Sequence, residues 1–261
     1  MSDLWYAFPK SLRVLVIFLA AFIAWEAAVV WFKIPELLLP SPLRVLYAII
    51  DSPQFYMAHT LRTLHETVVG FALAVVIGVV LSMLIVSSRF LEETIYVLLI
   101  GSNGIPKVAV APLFVVWLGT GLLPKFAISA TIAVFVIVID LVLGLRSVDR
   151  DMIDLGRSLK GSRWKMLVLI RFPHALPNLF AGMKAATTLA LIGAVVGEFV
   201  ASDRGLGYAI MVAQGAFDTV QIFASIAILG AIGTSLFFMV EWIERLVLPW
   251  HVSMRGAHLG H

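Results

Sequence analysis

Four polar side chains interrupt apolar runs, where a charge or strong dipole is expensive. They are Asn103 and Lys107 in "GSNGIPKVAVAPLFVVWLG", Asp140 in "VFVIVIDLVLGLR" and Glu198 in "LALIGAVVGEFVASDRGLGY". An ionisable group at membrane depth costs roughly 2.5–3.5 kcal/mol on insertion scales, so each is a candidate for pathway lining, gating or charge relay. Lys107, with the free N–H groups around Gly104 and Pro106, suits transient contact with an anion. Structural roles compete with these: a kink at Gly104 and Pro106, a Lys107–Asp140 pair, or a Glu198 carboxylate salt-bridged to Arg204 at the outer rim.

Other chemistries fall away quickly. The chain has no cysteine, which excludes disulfides and thiol catalysis. His59, His65, His174, His251, His258 and His261 form neither H-x-x-x-H nor H-E-x-x-H, so no metal site is expected. No G-x-x-x-x-G-K-[ST] occurs, so this chain is not expected to hydrolyse ATP or to carry a cofactor.

What positions the four residues is membrane helix. Of 261 residues, 61% are hydrophobic and 13% charged, and the mean hydropathy is +1.01. Apolar runs at 14–32, 67–86, 95–118, 126–145, 184–201 and 223–243 each approach the ~20 residues that span a bilayer as helix. An all-α integral membrane protein with six transmembrane helices is expected; the runs are too long and continuous for barrel strands.

Charge sets the orientation. With the N-terminus cytoplasmic, Lys10, Arg13, Arg89, Arg146, Arg150, Arg157, Lys160, Arg163, Lys165, Arg171, Arg245 and Arg255 lie inside, and only Lys33, Arg44, Arg62, Lys125 and Arg204 outside. Both termini are placed in the cytoplasm, and the basic balance reads as topology rather than as a nucleic-acid footprint. Trp5, Trp31, Trp117, Trp242 and Trp250 fit an interfacial belt near lipid headgroups.

Three parts follow: residues 1–66, a first helix and an external connecting segment with a short amphipathic helix near 43–51; residues 67–250, the main membrane domain; and a tail, 251–261. Gly70, Gly78 and Ser82 in the second run, and Gly193 and Gly197 in the fifth, are spaced to let another helix approach closely. "DRGLGY", 203–208, reads as an outer turn using glycine at positive φ.

The largest cytoplasmic loop, Arg146 to Arg171, holds seven basic and three acidic residues. Met152, Leu155 and Leu159 share one helical face, Gly161 marks a turn, and a second helix from about Ser162 to Arg171 is expected to stop at Pro173. A basic helix–turn–helix below the membrane is shaped to dock in a partner's groove, or to lie on the membrane with snorkelling cations.

"DLGRSLKGSRWKMLVLIRFP" resembles the EAA loop of permease subunits of bacterial ABC importers, in which E-A-A, three residues, G, nine residues and I-x-L-P recur. Asp154, Leu155 and Gly156 fall on E-A-A, Lys160 on the glycine, and Ile170 to Pro173 on I-x-L-P. The triplet keeps only an acidic first residue, and the glycine comes one place late as Gly161. "LPSP", "TLRTLHETVVGFALAVVIGVVLS", "IPKVAVAPLFVVWLGTG", "FPHALPNLFAGMKAA" and "GEFVASDRGLGYAI" are similar to the nitrate, sulfonate and taurine branch over residues 38 to 250. That branch usually carries a neutral polar residue where this chain has Asp140.

The resemblance implies a binding-protein-dependent importer subunit in the bacterial inner membrane, pairing with a second copy of itself. It implies coupling, over residues 150–177, through Asp154, Leu155, Gly156, Leu159, Lys160, Gly161, Arg163, Ile170 and Pro173, to cytoplasmic ATPase subunits that hold ATP and Mg. A periplasmic or lipoprotein binding protein would deliver a small anion or, alternatively, a vitamin-precursor heterocycle such as a pyrimidine. A rival reading is a secondary transporter or intramembrane enzyme using Lys107, Asp140 and Glu198 as a relay.

Overall fold

The computed structural model describes residues 10–249 except 97, 99, 100, 102 and 103. Asn103, Trp5, Trp250 and the tail at 251–261 lie outside the described residues. The described chain is helical with no strand. Helix α1 spans Lys10–Trp31, α2 Pro42–Asp51, α3 Pro53–Ser87, α4 Ala111–Leu118 and α5 Leu122–Arg146. The loop helices are α6, Arg150–Ser158, and α7, Arg163–Met166; then come α8 Phe172–Ala201, α9 Leu206–Gly215 and α10 Thr219–Val247.

Helix starts follow local chemistry. Ser41 accepts from the Arg44 N–H at 3.3 Å ahead of Pro42, and Asp218 accepts from the Gln221 N–H at 3.0 Å, satisfying donors that a first turn leaves open.

The centre is a close-packed sandwich in which α5 lies against both α3 and α8. Its core runs through Ala74, Ala133, Ile137, Leu141, Leu145, Ala175 and Ala186. Small residues make this possible: a Cβ on Gly70 would run into Ser129, and one on Gly193 would lie 2.5 Å from the Ser129 Cα. The Ser129 hydroxyl, held in this gap, donates to the Ala190 carbonyl at 2.8 Å. The expected glycine faces of the second and fifth spans are therefore the packing faces.

Helix α1 stands apart from this core. It is held by Glu26, which accepts from the Leu43 N–H at 3.2 Å, and by Trp25 against Phe223, ring centroids 5.8 Å apart.

Five helices are long and apolar enough to cross a membrane among the described residues. The third expected span, 95–118, differs among its described residues: a π turn at Glu92–Tyr96, helical backbone at Leu98 and Gly101, a 3₁₀ turn at Lys107–Val110 and α4, with Pro106 extended at φ −60°, ψ 102°. Pro106 has no N–H to give a helix and excludes the helical conformation from the residue before it.

Pro173 is a second correction. It does not stop a helix; α7, a π turn at Leu167–Arg171 and α8 form one continuous rod, Arg163–Ala201. In the π turn the Phe172 N–H reaches the Leu167 carbonyl, five residues back. The widened turn accommodates a ring that would otherwise collide with the preceding carbonyls.

Candidate coupling loop and buried charge cluster

The loop between α5 and α8 is built tightly. Asp149 caps α6 by accepting from the Asp151 N–H at 3.1 Å, and Ser162 caps α7 by accepting from the Lys165 N–H at 3.2 Å. At the end of α6, Leu159 and Gly161 donate to the Leu155 and Gly156 carbonyls at 3.1 and 3.0 Å. Lys160 takes a left-handed conformation at φ 54°. Glycine would suit that backbone better, and it is the position where the EAA pattern carries its glycine. Gly161 serves close approach: a Cβ there would lie 2.8 Å from the Gly156 carbonyl oxygen.

Gly156 is the contact between α6 and the rod. A Cβ on it would meet Ile170 Cδ1 at 3.0 Å and Met166 Cγ at 3.4 Å. The residues left facing out are Met152, Leu155 at 56% exposure and Leu159 at 75%. Asp154 pairs with Arg157 at 3.0 Å on the same helix. Arg163 is exposed, and Pro173 is an exposed first-turn residue of α8. The loop thus presents an apolar ridge flanked by charge on a braced helix pair, the form a partner's groove can grip.

At the opposite end of the bundle, α3, α5 and α8 bring together a cluster that the sequence reading found only through Glu198. Glu66, Lys125 and Glu198 are 0–1% exposed. One oxygen of Glu66 receives both the Arg62 Nε at 2.8 Å and the Lys125 Nζ at 3.1 Å. Lys125 also donates to Ser202 Oγ at 2.6 Å. Glu198 accepts from Thr63 Oγ1 at 2.6 Å and from the Gly207 N–H at 2.5 Å. Both cations fall on Glu66, whereas Glu198 is held by a hydroxyl and a backbone N–H, the hydrogen bonds a buried carboxyl group needs.

The same residues clip the 202–207 turn. Thr63 Oγ1 accepts from the Leu206 N–H at 2.8 Å and His59 Nδ1 from the Gly205 N–H at 2.9 Å. Gly205 has φ 113°, and a Cβ on it would overlap the Glu198 carboxylate. The expected glycine turn is present. The expected Glu198–Arg204 bridge is not, because Glu198 points inward while exposed Arg204 lies 3.8 Å from Asp203.

The remaining candidates stay apart. Lys107 Nζ sits 4.5 Å above the Phe135 ring, a cation–π contact. Asp140 packs beside Gly182, where a Cβ would meet its Oδ2 at 3.1 Å. No Lys107–Asp140 ion pair forms among the described residues, and Gly182 and Glu198 are about 24 Å apart along α8 at ~1.5 Å per residue. Among the described residues no ion pair joins Lys107, Asp140 and Glu198 to one another.

Residues 74–250 match the family described as "Binding-protein-dependent transport system inner membrane component". The riboflavin transport system permease protein RibX of Chloroflexus aurantiacus is 38% identical, covering 94% of this chain and 90% of its own. The formylaminopyrimidine transport permease protein ThiX of Halalkalibacterium halodurans is 32% identical, over 92% and 96%. The taurine transport system permease protein TauC of Escherichia coli is 28% identical, over 84% and 82%. In fold, the chain is similar to an inward-facing structure of the MetNI methionine ABC transporter, with TM-score 0.66 and 18% identity over 74% of this chain and 96% of that one. With the helical architecture and the family match in agreement, the chain belongs to the permease components of binding-protein-dependent ABC importers.

Proposed function

We propose that this permease forms the membrane path for a vitamin-related nitrogen heterocycle of the flavin or pyrimidine class. As a transport subunit of an ABC importer it is not an enzyme; ATP is hydrolysed on a separate subunit, and a solute-binding protein brings the cargo. The reading is carried by likeness to the riboflavin and formylaminopyrimidine permeases, at 38% and 32% identity over more than nine-tenths of this chain. The aliphatic sulfonate, nitrate and taurine permeases stand at 28%.

The disposition of charge supports it. Lys125 is bound to Glu66, Lys184 to Glu244 at 2.8 Å, and Lys107 lies on Phe135. A small inorganic anion needs cations to replace its hydration, whereas a flat heterocycle is served by apolar and hydrogen-bonding surface.

Coupling runs through Leu155, Leu159 and the turn at Lys160 and Gly161, whose apolar ridge docks on the ATPase. The subunit sits in the inner membrane with both termini cytoplasmic and works beside a second copy of itself. ATP-driven movement of the docked loop then shifts the balance between inward-open and outward-open states.

The test is a thermal-shift series on the cognate binding protein with riboflavin, a formylaminopyrimidine, taurine and nitrate, followed by ATP-driven uptake in vesicles. A ligand at 100 times its Kd stabilises by about 2.7 kcal/mol. A shift and uptake with a heterocycle are expected; a response to taurine or nitrate alone overturns the heterocycle.

A further inference from the structure

Where α6 and α7 meet the end of α3 there is a groove of about 600 Å³ whose lining does not include Leu155 or Leu159 of the docking ridge. Arg157, Arg163 and Arg171 line it, with Trp164, Leu167 and Val86 as its apolar wall. Glu92 is the acidic side chain at its edge, and it is already joined to Arg146 at 2.7 Å. Arg157 is satisfied by Asp154 at 3.0 Å. Arg163 and Arg171 have no hydrogen bond or ion pair among the described residues. Two guanidinium groups lining one partly enclosed space, whose one carboxylate is already taken by Arg146, match a phosphate in charge and geometry.

The level of the groove decides where that phosphate comes from. Val86 and Ser87 end α3, Arg146 ends α5, and Leu167–Arg171 begins the ascent into α8. These are the cytoplasmic boundaries of three membrane helices, the depth at which lipid headgroups lie. Trp164, 62% exposed, and Leu169, 70% exposed, add the apolar surface that an acyl chain would cover just above a headgroup.

We propose that this groove binds the phosphodiester headgroup of an anionic phospholipid, with Arg163 and Arg171 as its ligands, and so ties the coupling loop to the inner leaflet. Basic pockets on the cytoplasmic side of membrane helices select acidic headgroups on these grounds. The lipid would brace the side of the loop turned toward the membrane and leave Leu155 and Leu159 free for the ATPase.

The test uses the full chain in detergent, exchanged against phosphatidylglycerol, phosphatidylcholine or inorganic phosphate. Retained lipid is read by native mass spectrometry and stability by thermal unfolding. The wild type should retain phosphatidylglycerol in preference to phosphatidylcholine. At about 1 kcal/mol per basic residue near the headgroups, Arg163→Gln with Arg171→Gln should lower that preference by roughly 30-fold. Arg245→Gln, whose guanidinium is already held by Glu241 at 2.6 Å, should leave it unchanged. Arg163→Gln alone changes an exposed side chain without partners, so it keeps the fold and should lose part of the effect. An unchanged lipid preference in both arginine variants overturns the proposal. Equal stabilisation by inorganic phosphate, abolished by the same variants, reassigns the groove to a soluble anion. Absence of lipid preference together with loss of ATPase co-purification in the variants reassigns it to an acidic surface of the ATPase.

Discussion

Lys125 and Glu66, fifty-nine positions apart in the chain, meet at 3.1 Å in a buried ion pair that ties α5 to α3. Arg62 shares the same carboxylate oxygen, and the other oxygen, Oε2, has no partner. Removing Lys125 leaves a buried carboxylate served by one arginine, Arg62, whose side chain is 29% exposed. Lys125→Met should therefore cost about 3 kcal/mol, measured as a fall in unfolding midpoint in detergent. Glu66→Gln in the same chain should recover a large part of that loss, because the carboxylate that lost Lys125 is then neutral. Additive losses in the double variant would show that the two residues act independently.

Gly205 and Glu198 make a second tie. Gly205→Ala places a methyl group against the carboxylate at a φ of 113°, so both strain and overlap act against it. The expected result is release of the 202–207 turn, at a cost of about 2 kcal/mol or more. Since the natural chain lacks cysteine, a single Ser202→Cys reports this directly: maleimide labelling should be faster with alanine at 205. Equal labelling rates would rule out the clip.

Lys160 pays a conformational cost at φ 54°, while Gly161 does not use its freedom in that way. Lys160→Gly should raise stability, or leave it level, by up to roughly 1 kcal/mol; Lys160→Val should lower it by more. Hydrogen exchange across 156–162 would detect both. Slower exchange in the valine variant would contradict the backbone assignment.

Gly156 has no room for a branched side chain beneath Ile170. Gly156→Leu should pry α6 from the rod while leaving the membrane helices folded. ATPase co-purification should fall by tenfold or more with the unfolding midpoint little changed. Retention of the ATPase at wild-type levels would remove α6 from the coupling role.

Lys107 separates the two cargo classes. Lys107→Met keeps the contact area on Phe135 and removes the charge. For a heterocycle, uptake should stay within about twofold of wild type; a loss of tenfold or more, roughly 1.4 kcal/mol of binding, would mark an anion path.

Much of the scaffold was legible because bilayer physics writes directly into composition. Five of the six runs of about twenty apolar residues, the glycine faces at Gly70 and Gly193, the short helix after Pro42 and the turn at Lys160 and Gly161 appear where hydropathy and local geometry put them. The Arg62–Glu66–Lys125 cluster was not. These residues sit at span ends, where polar side chains are ordinary, and only the folded chain reveals that α3 continues outward and buries them against α5. Pro173 misled for a related reason. Its stop signal assumes α-helical spacing, and a single wide π turn removes the clash. Glu198 stood out as a carboxylate in an apolar run, but its inward direction depends on the 202–207 turn closing over it.

The rod from Arg163 to Ala201 contains 39 residues, about 58 Å of helix at ~1.5 Å per residue. Its lower end touches α6 at Gly156, and its upper end holds Glu198 under the outer turn. Helix α5 grips this rod along its length, with Gly144 against Asn178, Asp140 against Gly182, Ser129 against Gly193 and Lys125 against Gly197. With no single pivot between them, the two helices form one beam, and a push on the loop below reaches the outer turn only by moving both together.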